Sequence, residues 1–226
     1  MTTSIFICGV GGQGIGLMGE VLCHVLQNLN TRVMATETHG VAQRGGTVTT
    51  HIRFGDGVRT PKIGPGEADF VFSLERLEGL RFTETMLRDR GTLVYYDTVQ
   101  QPQVTRARGM QYPTASDVNA ACQRRNIRVA HIVMDDLPSI QMQNVALLGR
   151  IAALQLISGV TPESVRKVLH QRLPERVRAL NLQVFNDACT WKETVARKSS
   201  NATKKTGADK SDNRQGLSSF PIIAGA

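Results

Sequence analysis

Gly9-Val10-Gly11-Gly12-Gln13-Gly14 is the stretch that decides the fold. It follows the apolar run Ile5-Phe6-Ile7-Cys8 and precedes apolar residues at helical spacing, Leu17, Met18, Val21, Leu22, Val25, Leu26 and Leu29. A short buried strand, a tight glycine turn and an amphipathic helix open a layered α/β domain. The turn fits G-x-G-x-x-G, in which bare backbone N–H groups and a helix N-terminus can approach an anion such as a phosphate. Glu37 stands 23 residues after Gly14, at the end of the second expected strand, where a dinucleotide site would carry its ribose-binding carboxylate. A stand-alone NAD(P)-binding module or small oxidoreductase is therefore one reading of this stretch. Glycines that serve only close strand-to-helix packing are another.

Working outward, Arg32 to Thr36 reads as a second strand and Glu37 to Gly46 as a polar, glycine-rich loop. Thr47 to Phe54 alternates and is rich in β-branched residues, so it is expected as a strand, antiparallel to its neighbour. Ala68 to Leu74 is nearly continuous apolar sequence, as in a strand buried on both faces. A helix over Glu75 to Leu87, strands over Thr92 to Tyr96 and Val104 to Arg108, a helix over Ser116 to Arg125 capped by Ser116, and a strand over Ile127 to Met134 follow. The strands then stop. Ser139 to Ile157 predicts a buried helix, Thr161-Pro162 opens the next, and Pro174 opens the last, running to about Val195. This order predicts a single three-layer α/β/α domain, Rossmann-like, with a mixed and mostly parallel sheet and a helical C-terminal part, over residues 1–196. Residues 197–226, dominated by Ser, Asn, Thr, Lys, Gly and Asp, read as a basic disordered tail.

The chain has 226 residues and a formal charge of +8. Half of that excess lies in the tail, where six basic residues face two acidic ones, and the body is only mildly basic. The tail's single aromatic, Phe220, offers almost no base stacking, so a nucleic-acid partner is not expected. The longest apolar candidate for a membrane span, Val145 to Ile157, is cut by Gly149, Arg150 and Gln155, and Met1-Thr2-Thr3-Ser4 lacks the basic start of a signal peptide. A cytoplasmic location is expected. Cys8, Cys23, Cys122 and Cys189 are scattered, with no CxxC and no cluster-binding run, so neither a metal site nor an iron–sulfur cluster is expected here.

The second concentration of reactive groups is Glu37-Thr38-His39-Gly40-Val41-Ala42-Gln43-Arg44-Gly45-Gly46. It offers an imidazole, an amide and a guanidinium from a backbone able to come close to a ligand. An internal Arg44–Glu37 pair, with His39 bonded to backbone, is an equally open reading of the loop by itself.

This loop and the glycine turn, with Val48, Arg53, Ala68-Asp69, Leu74-Glu75, Asn144 and Leu148-Gly149, together resemble the gamma subunit or gamma domain of 2-oxoacid:ferredoxin oxidoreductases, and within that family its indolepyruvate branch. The resemblance runs in order from about residue 4 to residue 195, and the His39 to Gly46 motif is its most specific part. It implies a supporting subunit of a heteromeric enzyme that decarboxylates a 2-oxoacid, an arylpyruvate such as indolepyruvate, to acyl-CoA and CO2. Such an enzyme passes its electrons through iron–sulfur clusters to ferredoxin. Thiamine diphosphate and the clusters are implied in a larger partner subunit: Gly55-Asp56-Gly57 lacks the remainder of a thiamine motif, and cluster cysteines are missing. Coenzyme A is the implied co-substrate. The residues implied to hold it or its surroundings are Gly9, Gly11, Gly12, Gln13, Gly14, Arg44, Gly45 and Gly46, with Lys62 as a further cation. His39, Gln43 and Arg44 are implied in supporting catalytic roles.

Overall fold

Ile5 and Ile7 point into one apolar cluster while Phe6 and Cys8 point into another, so the central strand, β1 (Thr3–Val10), is buried on both faces. That is the physical reason its sequence is continuously apolar rather than alternating. The computed structural model describes residues 2–39, 46–100 and 112–192.

Helix α1 (Ile15–Gln27) covers one face of the sheet with Ile15, Met18, Val21, Leu22, Val25 and Leu26. Strands β2 (Val33–His39) and β3 (Thr47–Phe54) pair with each other antiparallel, and β3 then pairs antiparallel with β1 along its whole length, from Thr3 opposite Phe54 to Val10 opposite Thr47. On the other side of β1 the pairing is parallel throughout: β4 (Ala68–Ser73), β5 (Leu87–Tyr96) and β6 (Arg128–Ile132). The sheet order is β2-β3-β1-β4-β5-β6. Helices α2 (Arg76–Thr85) and α3 (Ala115–Arg124) lie over the Phe6/Cys8 face, where Leu80, Phe82, Val118 and Cys122 pack. The 3-10 turn Ile140–Met142 leads into α4 (Gln143–Leu154), and α5 (Pro162–Arg172) and α6 (Glu175–Thr190) complete the α1 layer. Helix α4 is buried from Gln143 to Gly149 because it is enclosed by the sheet, α1 and α6. This explains its apolar residues on every side.

The expected mixed, mostly parallel three-layer architecture is what the chain forms, and Met1–Glu193 is a single compact unit. Several boundaries differ from the sequence reading. Glu37, Thr38 and His39 belong to β2, not to a loop, and pair with Thr50, Thr49 and Val48. Polar residues suit this position because β2 is an edge strand whose second half is exposed. Helix α3 is capped by Thr114, not Ser116: Thr114 and Asp117 close a reciprocal capping box. The helix expected from Ser139 begins only at Gln143, because Ser139 caps the 3-10 turn first, and the last helix ends at Thr190. The expected strand Val104–Arg108, the boundary at 196 and the tail lie outside the described residues.

Candidate functional site

The chain reverses its direction of winding between β1 and β4. From β1 it moves through α1 toward β2 on one side, and from β4 through α2 toward β5 on the other. Such a switch point opens a crevice beyond the carboxyl ends of the two strands, the place where open α/β sheets bind ligands. The glycine turn leaves β1 at this crevice, Leu74 and Glu75 leave β4 beside it, and Gln143 and Asn144 enter it from the start of α4.

Gln13 is the residue that locks these parts together. Its side chain is fully buried. The Val10 N–H donates to its Oε1 at 2.7 Å, while its Nε2 donates to the Leu74 carbonyl at 2.6 Å and to Gln143 Oε1 at 3.1 Å. The structure thus places the Gln13 amide inside the chain, with both of its protons engaged, and leaves the backbone to meet a ligand. Gly14 is the N-cap of α1 in a left-handed conformation, φ 79° and ψ 36°. A Cβ there would collide with Asn144 Nδ2, which donates to the Gly14 carbonyl at 3.1 Å. With glycine as its cap, α1 has no side-chain acceptor for its first-turn N–H groups, so these are left as donors that an anion could use. The Gly11 N–H donates to the Gly46 carbonyl at 2.8 Å, tying the two glycine-rich segments together.

Two buried carboxyls flank the turn. Glu75 is the N-cap of α2 and accepts from the Glu78 N–H at 2.9 Å. Burial pushes its carboxyl up to about 7, an effect that the backbone donors at the helix start only partly oppose and the nearby Glu78 reinforces. Glu78 is raised by burial too, against the pull of Arg81 and a hydrogen bond with Thr47 at the start of β3. Glu75 Oε1 and Glu78 Oε2 have no partner among the described residues. The sequence reading passed over this pair as chemistry, although an acidic residue directly after an apolar strand is a signal for a helix cap at a strand's carboxyl end.

The remaining expected residues distribute as follows. Gly9, Gly11, Gly12, Gln13, Gly14 and Gly46 come together at the crevice. Gln43, Arg44 and Gly45 lie outside the described residues, and His39 is described through its backbone, paired with Val48. Lys62 is not brought to the turn. Its carbonyl accepts from Arg53, and the next residue's N–H donates to His51 Nδ1 at 3.1 Å; these two stand opposite Ser4 and Phe6, toward the far end of β1. The antiparallel run of β3 carries the chain away from the crevice before Lys62 is reached. Burial and Lys62 both push His51 down, in keeping with a neutral ring whose Nδ1 accepts. Glu37 is likewise not beside β1. Strand β3 intervenes, so Glu37 is two strand spacings away, about 10 Å, and faces the start of α1 near Gly16. A ribose held at the glycine turn in the manner of a dinucleotide site requires the carboxylate on the adjacent parallel strand.

The cysteines do not fit an iron–sulfur cluster, which needs clustered thiolates. They stand on β1, α1, α3 and α6, and burial raises each thiol: Cys8 well above its usual value, Cys23 and Cys122 to about 11, and Cys189 upward. Among the described residues no three His, Cys, Asp or Glu side chains group as metal ligands, and no helix is long and apolar enough to cross a membrane. The arrangement can bind an anion through backbone donors and present buried protonatable groups.

Comparison with known proteins identifies the family. The family model of pyruvate ferredoxin/flavodoxin oxidoreductase matches residues 4–191. The chain is 30% identical over 192 residues to the indolepyruvate oxidoreductase subunit IorB of Archaeoglobus fulgidus, covering 82% of this chain and 92% of that protein. It is 29% identical over 191 residues to the subunit of the same name from Methanothermobacter thermautotrophicus, covering 83% and 96%. Among solved structures, the fold is shared with the gamma subunit of a keto/oxoacid ferredoxin oxidoreductase from Geobacter sulfurreducens, with a TM-score of 0.56, 18% identity, and coverage of 83% of this chain and 96% of that one. It is shared too with part of 2-oxoglutarate:ferredoxin oxidoreductase from Magnetococcus marinus, with a TM-score of 0.60, 18% identity, and coverage of 83% and 30%. With the glycine turn, the switch-point crevice and a match spanning nearly all of the compact unit in agreement, the chain belongs to the pyruvate ferredoxin/flavodoxin oxidoreductase family.

Proposed function

We propose that this chain is the small subunit of a ferredoxin-dependent oxidoreductase that converts an arylpyruvate, indolepyruvate foremost, with coenzyme A to acyl-CoA and CO2. The observation that carries this reading is the near full-length agreement with subunits named for indolepyruvate oxidoreductase, 92% and 96% of whose length is covered. Its larger partner holds thiamine diphosphate and the iron–sulfur clusters: the four raised, separated thiols of this chain do not suit a cluster, and Gly55-Asp56-Gly57 lacks the remainder of a thiamine motif.

Within that complex the crevice beyond β1 and β4 lines the coenzyme A path. The first-turn N–H groups of α1, held open by Gly14 and stiffened by Gln13, receive a phosphate oxygen. Gln43 and Arg44 add an amide and a guanidinium as donors to the same ligand. The domain packs against the thiamine subunit, closes the active-site channel and helps to hold coenzyme A. The NAD(P) reading has no comparable support: β3 removes Glu37 from the strand next to the turn.

Co-expression with a large subunit carrying thiamine and ferredoxin-type cysteine motifs tests the proposal. The complex should reduce a viologen dye when given indolepyruvate and coenzyme A, while this chain alone should not. Absence of arylpyruvate-dependent reduction with every such partner overturns it. In the active complex, Arg44→Ala should raise the KM for coenzyme A by about tenfold with the subunits still associated; an unchanged KM removes Arg44 from the path.

A further inference from the structure

At the opposite, amino end of the sheet, β5 departs from regular pairing. Ala68 pairs with Leu87 and Phe70 with Thr92, so two steps along β4 face five along β5. Arg88-Asp89-Arg90-Gly91, four residues against the single Asp69, form an enlarged bulge. Bulges re-aim side chains, and this one is held rigidly. Arg125, at the end of α3, donates through Nε to Asp89 at 2.7 Å, through one terminal nitrogen to the Thr83 carbonyl at 2.6 Å and through the other to the Leu87 carbonyl. Its own carbonyl accepts the Arg90 N–H at 3.1 Å. Gly91 suits this closure, since a Cβ there would stand 2.9 Å from the Arg88 carbonyl oxygen. Arg90 adopts a φ of 60°, a left-handed conformation that costs a non-glycine residue energy.

The result is a cavity of about 310 Å³ whose lining includes Arg88, Arg90 and Arg128, the hydroxyl residues Thr92 and Ser158, and an apolar wall at Phe54 and Leu156. Arg128 pairs directly with Thr92 across β5 and β6. One carboxylate is present: Asp69 meets Arg88 at 2.8 Å and accepts the Ser4 N–H at 2.7 Å. Arg90 and Arg128 have no carboxylate partner among the described residues. Two uncompensated guanidiniums, Arg90 on the clamped bulge and Arg128 on the adjoining β6, lie with that of Arg88 next to an apolar wall and are complementary to a planar or forked anion attached to an apolar body. We propose that this cavity is a binding site for an organic phosphate, separate from the crevice at the carboxyl end of the sheet and independent of the function proposed above.

Calorimetric titration of the full chain with adenosine monophosphate and with pyrophosphate tests this. Both should bind, with affinity falling as salt is raised from about 50 to about 300 mM. Arg90→Gly keeps the left-handed backbone and removes the guanidinium, and Arg128→Gln removes a side chain that makes no bond among the described residues. Each should weaken binding by about tenfold or more. Asp69→Asn, which keeps an acceptor for the Ser4 N–H, should tighten it several-fold. The proposal is overturned if neither probe binds at about 5 mM. It is equally overturned if binding persists unchanged in the Arg90→Gly/Arg128→Gln double variant, which would assign the anion to the glycine turn. Should Arg90→Gly prevent folding, Arg128→Gln and Asp69→Asn decide between the same outcomes.

Discussion

Gln13 and Glu75 show how single side chains set up the crevice. Gln13 sits at a variable position of G-x-G-x-x-G, yet its amide bonds Val10 of β1, Leu74 after β4 and Gln143 of α4 at once. Gln13→Met keeps the volume but strands a buried N–H, a buried carbonyl and the Gln143 amide, and should cost about 3 kcal/mol in urea denaturation. A loss below about 0.5 kcal/mol would instead mark Gln13 as a ligand contact with little structural weight. Glu75 has the opposite character, a carboxyl that folding makes harder to ionise. Its folded value of about 7 lies above the ordinary 4.5, so between those limits the folded chain holds a proton that the unfolded chain releases. Stability from this group is therefore fully present below about pH 4.5 and is lost as pH rises through about 7. Glu78 acts in the same direction, while Arg81 opposes it. Unfolding at about pH 5 and about pH 8 should differ by an amount on the order of 3 kcal/mol, and Glu75→Gln should remove most of that difference. An undiminished pH dependence in the variant would assign it to other groups.

Among the elements, α3 separates what composition suggests from what geometry selects. Ser116 and Thr114 are both good capping types, and only the spacing Thr114-x-x-Asp117 closes a reciprocal box. Thr114→Ala should lower stability by about 1 kcal/mol, and Ser116→Ala should leave it within about 0.3 kcal/mol; thermal melts of the two variants would reverse that order if Ser116 were the cap. The polar ends of β2 and β5 were the other misread boundaries, and for a related reason. Glu37-Thr38-His39 continues a strand because an edge strand needs hydrogen-bonding partners along one side only. Arg88-Asp89-Arg90 continues one because its bulge is held by Arg125 at the end of α3, 36 residues after Asp89. Hydropathy alternation carries neither fact.

For the molecule as a whole, the compact unit Met1–Glu193 contains every described element, and the family match ends at residue 191. We propose that the unit folds and assembles without the tail. Removal of residues 194–226 should leave the melting temperature within about 1 °C and subunit association intact; a drop of about 5 °C would show that the tail docks on the domain. The +8 charge divides between that tail and a body in which several arginines bond carbonyls and carboxylates or line the amino-end cavity. The sequence by itself determined the glycine turn, the continuously apolar central strands, the helical periodicity, the α/β class and the family resemblance, because each is written in local spacing. Tertiary structure alone decided that β3 separates β1 from β2 and displaces Glu37, that Gln13 meets Leu74 and Gln143, and that three arginines share one cavity. Those outcomes depend on strand order, register and partners up to 130 residues apart, which no local pattern encodes.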